Sequence, residues 1–381
     1  MNNSELKDYI ENFDNKDISI AFLFTACRIA SILLMSLLDS HDEILIIPTV
    51  FFYYYDWEFL EKNLDDIESF VSDFINKSSF SWGWCTDNLG ENRDQSFIID
   101  RKKLADTLVK ILKSLDKIDR KTFLLALHYA YAVIQGKDLS KIKCIVQHHH
   151  FFIGLMGFKL LYNQITFKFS GNTPVFAQPF SDFPQAKLIC TVRHPFDSFY
   201  SSYKASKPKD GFFDLNTFKY CIHELFFDLF TSLEQRGISG KNFIYLKFES
   251  LHKNSELTMS ELAEFLGVKY SDSLLKSTIN GLLWWGNNPG KVVNGTNPAL
   301  VTEDWKTQMD LQAKYICSEL LNDISVELGY EPFVVTEGNI FSFISDELEG
   351  YIFSHYQELD DPVNFSDNYL SLRNTLINYY L

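Results

Sequence analysis

Short apolar runs that stop at polar residues, each followed by a stretch of helical spacing, recur along this chain and restrict it to an α/β architecture. They are Ile18 to Phe24, Lys143 to Gln147, Ala186 to Val192 and Phe243 to Phe248. Strands alternating with helices in this way predict a parallel sheet, whose ligands gather where the strands end. The helical stretches are Ile29 to Leu38, Leu104 to Leu115, Phe123 to Ile134, Pro195 to about Lys204, Phe218 to Gln235, Ser260 to Leu266 and Thr302 to Leu328. Pro195 suits a first helical position, and Gly267 suits a helix end. Turn formers from Asn287 to Pro298 predict a long loop. The predicted fold class is a three-layer α/β sandwich around a central parallel sheet, with a helical insertion over 51–135 and a C-terminal helical extension. Residues 1–335 form the α/β domain and 336–381 the extension, which is acidic and aromatic and is the expected place for a homodimer contact.

Composition narrows the function. Of the 381 residues, 46% are hydrophobic and 16% aromatic, enough for a filled core or an apolar cavity. A formal charge of −15 argues against nucleic-acid partners, which require a basic face. An anionic ligand must then be held by locally placed basic groups. The six cysteines form no CxxC pair, which fits free thiols in a reducing cytosol rather than a disulfide framework or a zinc site. The polar, acidic stretch from Met1 to Asp17 lacks the pattern of an export signal, so a cytoplasmic location is expected. Ile18 to Leu38 is about long enough to span a bilayer but carries Arg28 at its middle. A central Arg costs roughly 2.5–3.5 kcal/mol on insertion scales, so no membrane span is expected.

Four segments carry the chemistry. In Leu188-Ile189-Cys190-Thr191-Val192-Arg193-His194-Pro195 and on to Ser201, a strand brings Arg193 to the sheet edge, Pro195 opens a helix, and Ser201 follows about two turns on. Arg and hydroxyl can then grip one phosphate; pairing of Arg193 with a carboxylate is the plainer alternative. This segment resembles the 3′-phosphate-binding segment of sulfotransferases, in which an Arg, a Pro two residues later and a Ser eight residues later hold the cofactor. Phe24-Thr25-Ala26-Cys27-Arg28-Ile29-Ala30-Ser31 with the tail Leu37-Leu38-Asp39-Ser40-His41 is similar to that family's 5′-phosphosulfate loop. On this match Arg28 is the loop's basic residue, the Ala30 backbone lies against the phosphosulfate, and Ser31 supplies the hydroxyl. Thr25, Cys27 and Ala30 stand where the family usually has Gly, Pro and Gly, which limits how near the backbone comes to phosphate. Tyr245 to Leu251 resembles the Tyr-Glu-Asp-Leu strand end, with Phe248 beside the adenine or in the core. Asp304-Trp305-Lys306 resembles the late Asp-Trp-Lys segment, with Lys291 upstream as a phosphate ligand.

The resemblance implies 3′-phosphoadenosine 5′-phosphosulfate (PAPS) as sulfuryl donor, 3′-phosphoadenosine 5′-phosphate (PAP) as product, and no metal. His148-His149-His150 ends a strand, and His titrates near neutral pH. His149 matches the His of the family's Lys-Thr-His segment, with Gln147 in place of the Lys, and is the expected base; His148 and Arg28 complete the expected catalytic set. Consecutive residues on a strand alternate faces, so one metal ion held by all three histidines is awkward, and one or two may serve only as walls. Glu43 and the aromatics Phe51 to Trp57 face either the acceptor or the core. The expected function is transfer of a sulfuryl group to a hydroxyl or amine of a small-molecule acceptor, such as a natural product or cationic alkaloid. The alternatives are a nucleotide-binding or scaffold protein without turnover, a carbohydrate or protein-tyrosine sulfotransferase, and an ATP-using P-loop enzyme, which the absence of Gly-Lys-Ser/Thr disfavours.

Overall fold

The computed structural model describes residues 3–25, 30–49, 53, 54, 57, 61–77, 86–150, 178–206, 221, 225, 229, 236, 240–286, 292–309 and 311–334. In chain order the first elements are α1 (Asn3–Glu11), β1 (Ser19–Thr25), α2 (Ser31–Leu38), β2 (Ile44–Ile46), α3 (Ile67–Lys77), α4 (Arg101–Leu112), α5 (Arg120–Gln135) and β3 (Cys144–His150). Then come α6 (Gln178–Asp182), β4 (Lys187–Val192), α7 (Pro195–Ser206), β5 (Phe243–Lys247), α8 (Phe248–Lys253) and α9 (Ser255–Leu266). The last are β6 (Thr278–Ile279), β7 (Leu282–Leu283), α10 (Trp305–Gln308) and α11 (Leu311–Glu327). The extension over 336–381 lies outside the described residues.

Five strands form one sheet in the order β2-β3-β1-β4-β5, and every pairing in it is parallel. The chain leaves β1 toward one edge and later crosses to the other, so β1 is central. Its end lies beside those of β3 and β4, where a parallel sheet places its ligands. Alternation assigns the faces. Ala21, Leu23, Cys144, Val146, Ile189 and Leu246 point to one side and pack with Leu34, Leu37 and Leu38 of α2 and Met259, Leu262 and Leu266 of α9. Each such side chain contributes roughly 1.5–3 kcal/mol on full burial. On the other side the Phe22 ring meets Tyr54 and Phe183, both at 6.1 Å. Layers thus cover both faces of a parallel sheet, the predicted class.

The same side carries an aromatic cluster. Phe123 of α5 lies 4.7 Å from Phe74 and 5.0 Å from Phe70 of α3, and 5.6 Å from Trp57. An Asp119–Thr122 capping box opens α5, and Gly136 in the left-handed region closes it. Asp119 and Gly136 therefore fix the length of the helix that holds the cluster.

By contacts the chain divides into two compact units, 1–193 with 238–302 and 194–237 with 303–381. The first contains the sheet. In the second, Trp305 is buried against His194, Phe196 and Phe333, with centroids 5.1, 4.9 and 5.1 Å away.

Three expectations are corrected. The strand expected to end at Gln147 continues through His150, because parallel pairing with β1 runs on to Thr25↔His150. Phe248 opens a helix instead of ending a strand; Glu249 in its first turn and Lys253 in its last suit the helix dipole. The helix expected from Thr302 to Leu328 is two helices, parted at Met309, whose ψ of 134° is extended. Ile18 to Leu38 divides into β1 and α2, and among the described residues no helix is long and apolar enough to cross a membrane.

Candidate active site at the end of the parallel sheet

Arg193 directly follows the last residue of β4. It is half-buried, and its guanidinium carbon lies 4.4 Å from the centroid of the Phe248 ring. Phe248 and His252 sit one helical turn apart on α8, so their rings meet edge-on at 4.3 Å. The backbone N–H of Asn297 donates to His252 Nδ1 at 2.9 Å, which places the imidazole proton on Nε2. Burial, and then the charge of Arg193, push the His252 pKa down to about 4. Cation, ring and neutral imidazole thus form one group beside the strand ends.

Asn297 belongs to a loop that is stitched to the sheet unit. The Asn294 side-chain amide donates to the Ser277 and Trp284 carbonyls, both at 2.8 Å. The Gly295 N–H donates to Ser277 Oγ at 3.1 Å. Lys291, expected upstream on this loop as a phosphate ligand, lies outside the described residues, as does Arg28. Ser201 is on α7, partly exposed, and falls in the second compact unit, whereas Arg193 closes a segment of the first.

At the end of β1, Ala30 is the N-cap residue of α2 with φ 68° and ψ 23°, a left-handed conformation that favours glycine. Its carbonyl accepts from the Leu34 N–H at 3.0 Å. Ser31 opens the helix and is buried. Alanine here holds a backbone conformation that glycine adopts without strain.

Alternation along β3 separates His148 from His149. His148 turns toward α2, its Nδ1 3.3 Å from Met35 Sδ. His149 turns to the aromatic face, between Phe24 at 5.7 Å and Tyr54 at 5.6 Å, both edge-on. Both side chains are buried. Among the described residues no group of three or more His, Cys, Asp or Glu is placed to hold a metal ion. Gln147 shares the face of His149, and its Nε2 donates to the His148 carbonyl at 3.1 Å.

Behind Tyr54 lies an ion pair that sequence reasoning missed. Arg120 donates from Nε and Nη2 to Asp182 at 2.6 and 2.7 Å, and from Nη1 to Gln178 Oε1 at 2.9 Å. Its guanidinium carbon lies 5.3 Å from the Tyr54 ring centroid. Burial holds the Tyr54 phenol well above its usual pKa, so the ring stays neutral. Two aromatic edges and a forked ion pair thereby fix the wall beside His149. His252 was missed too, although its place four residues after Phe248 marks it once that segment is known to be helical. Glu43, considered for the acceptor side, instead pairs with Lys143 at 2.8 Å and accepts from the Lys269 N–H at 2.7 Å.

The model of the sulfotransferase family matches residues 30–272, more than half of the chain. No curated protein sequence matches. Similar solved structures include the sulfotransferase domain of the Synechococcus PCC 7002 olefin synthase, at 13% identity and TM-score 0.45, covering 84% of this chain and 97% of that one. The sulfotransferase domain from the curacin biosynthetic pathway aligns at 14% identity and TM-score 0.44, covering 82% and 98%. Mouse sulfotransferase SULT7A1 complexed with PAP aligns at 14% and 0.34, covering 90% and 94%. The family match spans the chain from the first residue of the α2 cap, through Arg193, to the helix pair after β5, and on that ground the chain belongs to the sulfotransferase family.

Proposed function

We propose that this chain transfers a sulfuryl group from PAPS to a hydroxyl or amine of a small-molecule acceptor, of the kind found among natural products and cationic alkaloids. The observation that carries this reading is Arg193 at the end of β4, set against the Phe248 ring within the region matched by the family. A cation on an aromatic face suits a ligand that joins a phosphate to a flat base. In this reading Arg193 holds the 3′-phosphate, Phe248 lies beside the adenine, and Ser201 and Lys291 keep the phosphate-binding roles that the resemblance implies. Arg28, Ser31 and the Ala30 backbone hold the phosphosulfate, where backbone N–H groups at the start of α2 favour an anion.

The donor supplies the sulfuryl group, whose S–O bond to the 5′-phosphate breaks as the acceptor oxygen or nitrogen bonds to sulfur. His149 takes the acceptor's proton. Its position between Phe24 and Tyr54 excludes water around the imidazole, and its face of β3 differs from that of His148. Arg28 stabilises the charge that collects on the departing phosphate. A nucleotide-binding protein without turnover is the second reading, favoured by Ala30 in the left-handed region where glycine is unstrained.

Incubation with sulfur-labelled PAPS and a panel of phenols, alcohols and amines tests the proposal. Label in an acceptor, lost in His149→Ala, is the expected result. PAP binding with no transfer to any acceptor supports the second reading.

A further inference from the structure

Helix α2 starts at the strand ends with Ala30 and Ser31 and finishes about 12 Å away at Asp39, its C-cap residue. Asp39 is buried, and its Oδ2 accepts from Thr278 Oγ1 at 3.0 Å and from the Gly281 N–H at 2.8 Å. The Thr278 proton is thus directed at the carboxylate, so Ser40 Oγ is the donor in its 2.7 Å contact with Thr278 Oγ1. Thr278 and Gly281 both belong to the β6–β7 hairpin, whose turn residues Asn280 and Gly281 have φ 50° and 77°, the left-handed pair of a type I′ turn. Tyr131 of α5 donates to Asn280 Oδ1 at 3.1 Å, and Lys137 just beyond α5 donates from Nζ to the Asp39 carbonyl at 3.0 Å.

The same hairpin is tied to the other end of the site. Ser277 and Trp284 flank its two strands, with the Trp284 N–H donating to the Ser277 carbonyl at 2.9 Å. The Asn294 side chain bonds to both residues and the Gly295 N–H to Ser277. Two residues on, the Asn297 N–H holds His252, whose ring meets Phe248 beside Arg193. Hydrogen bonds, ring contacts and short chain segments thus lead without a break from the C-cap of α2 to Arg193, all within one compact unit.

We infer that Asp39 is a positioning residue that sets the distance between the two phosphate-binding ends of the cofactor site. This rests on the sulfotransferase reading above. Asp39 touches no ligand; it clamps α2, whose start holds the 5′ end of the cofactor, to the hairpin that carries the loop behind Arg193, which holds the 3′-phosphate. A ligand that bridges two subsites gains from both only where their spacing matches its own. A site whose ends are set in advance also loses less freedom on binding. The clamp therefore favours a nucleotide with phosphates at both the 3′ and 5′ positions, and a nucleotide that uses the Arg193 end alone is indifferent to it.

The test measures dissociation constants for PAP and for adenosine 3′-phosphate by calorimetry in the full-length protein, well below the thermal midpoint of each variant. Asp39→Ala should weaken PAP about tenfold, and Thr278→Val, which keeps the carboxylate but removes one of its donors, about threefold. Adenosine 3′-phosphate should change by less than about twofold in both. Asp39→Asn, which keeps an accepting oxygen, should stay within about twofold of wild type for both ligands. A residue that only stabilises the fold would lower the midpoint and leave the ratio of the two constants unchanged. Thr278→Val decides the matter where Asp39→Ala does not fold. Absence of PAP binding in wild type counts against the sulfotransferase reading itself. With PAP binding present, three results overturn the inference about Asp39: an unchanged ratio of the two constants in the folded variants, a PAP loss in Asp39→Asn as large as in Thr278→Val, or no binding of adenosine 3′-phosphate to wild type.

Discussion

The guanidinium of Arg193 lies over the Phe248 ring, 4.4 Å from its centroid, and joins the ends of the adjacent strands β4 and β5. A cation–π contact of this kind is worth about 0.5–2 kcal/mol. It holds the Arg side chain in one orientation before any ligand arrives, which reduces the entropy lost on binding.

Replacing that ring tests the arrangement. Phe248→Leu should weaken PAP binding about tenfold, whereas Phe248→Tyr should keep it near the wild-type value. Titration calorimetry with PAP reads both. Equal affinity in Phe248→Leu would show that the ring is only core.

Ala30 holds φ at 68° with an ordinary side chain. Left-handed backbone costs an L residue roughly 1–2 kcal/mol, partly offset by the freedom that glycine adds to the unfolded chain. Ala30→Gly should therefore leave stability level or raise it by a few tenths of a kcal/mol. Ala30→Val should lose more than about 1 kcal/mol, because a branched side chain fits this region worst. Thermal midpoints check the order Gly, Ala, Val.

His128 of α5 is fully buried, with Nδ1 donating to the Leu124 carbonyl at 2.9 Å. Burial pushes its pKa down to about 4 from 6.5. Its folded pKa lies below the unfolded one, so the unfolded chain binds the proton first. Stability is complete above pH 6.5 and falls as the pH drops from 6.5 toward 4, by about 3 kcal/mol from this group. His252, also at about 4, acts in the same direction. Urea unfolding at pH 7 and pH 5 should show a large difference for wild type and a smaller one for His128→Leu.

Gly295 has φ 74°, and a Cβ there would lie 2.4 Å from the Leu275 carbonyl oxygen. Both backbone shape and space oppose a side chain, so Gly295→Ala should cost about 2–3 kcal/mol. The loop held by Asn294 and Asn297 should loosen with it. Reduced PAP affinity alongside the lower midpoint is expected, measured by calorimetry and thermal unfolding.

The sheet was legible because Ala21 to Phe24, Cys144 to Val146 and Leu188 to Cys190 are apolar throughout, as strands covered on both faces must be. The division of His148 from His149 was legible from alternation alone. Other features were not. The Arg120–Asp182 pair joins residues 62 apart, and neither neighbourhood carries a mark of the other. The left-handed backbone at Ala30 was marked only by the resemblance, which sets a glycine at that position, since alanine itself carries no signal for it. His252 was obscured by one boundary: once Phe248 is read as strand, the residue four places on points nowhere in particular.

The measurement that tests the central claim most directly is the thermal midpoint of the full-length protein with PAP, with ATP and magnesium as the control, in wild type and in Arg193→Ala. Ligand at about 100 times its dissociation constant stabilises by about 2.7 kcal/mol. The account predicts a rise of several degrees with PAP, none with ATP and magnesium, and loss of the rise in Arg193→Ala. No rise with PAP, or an undiminished rise in Arg193→Ala, would contradict it.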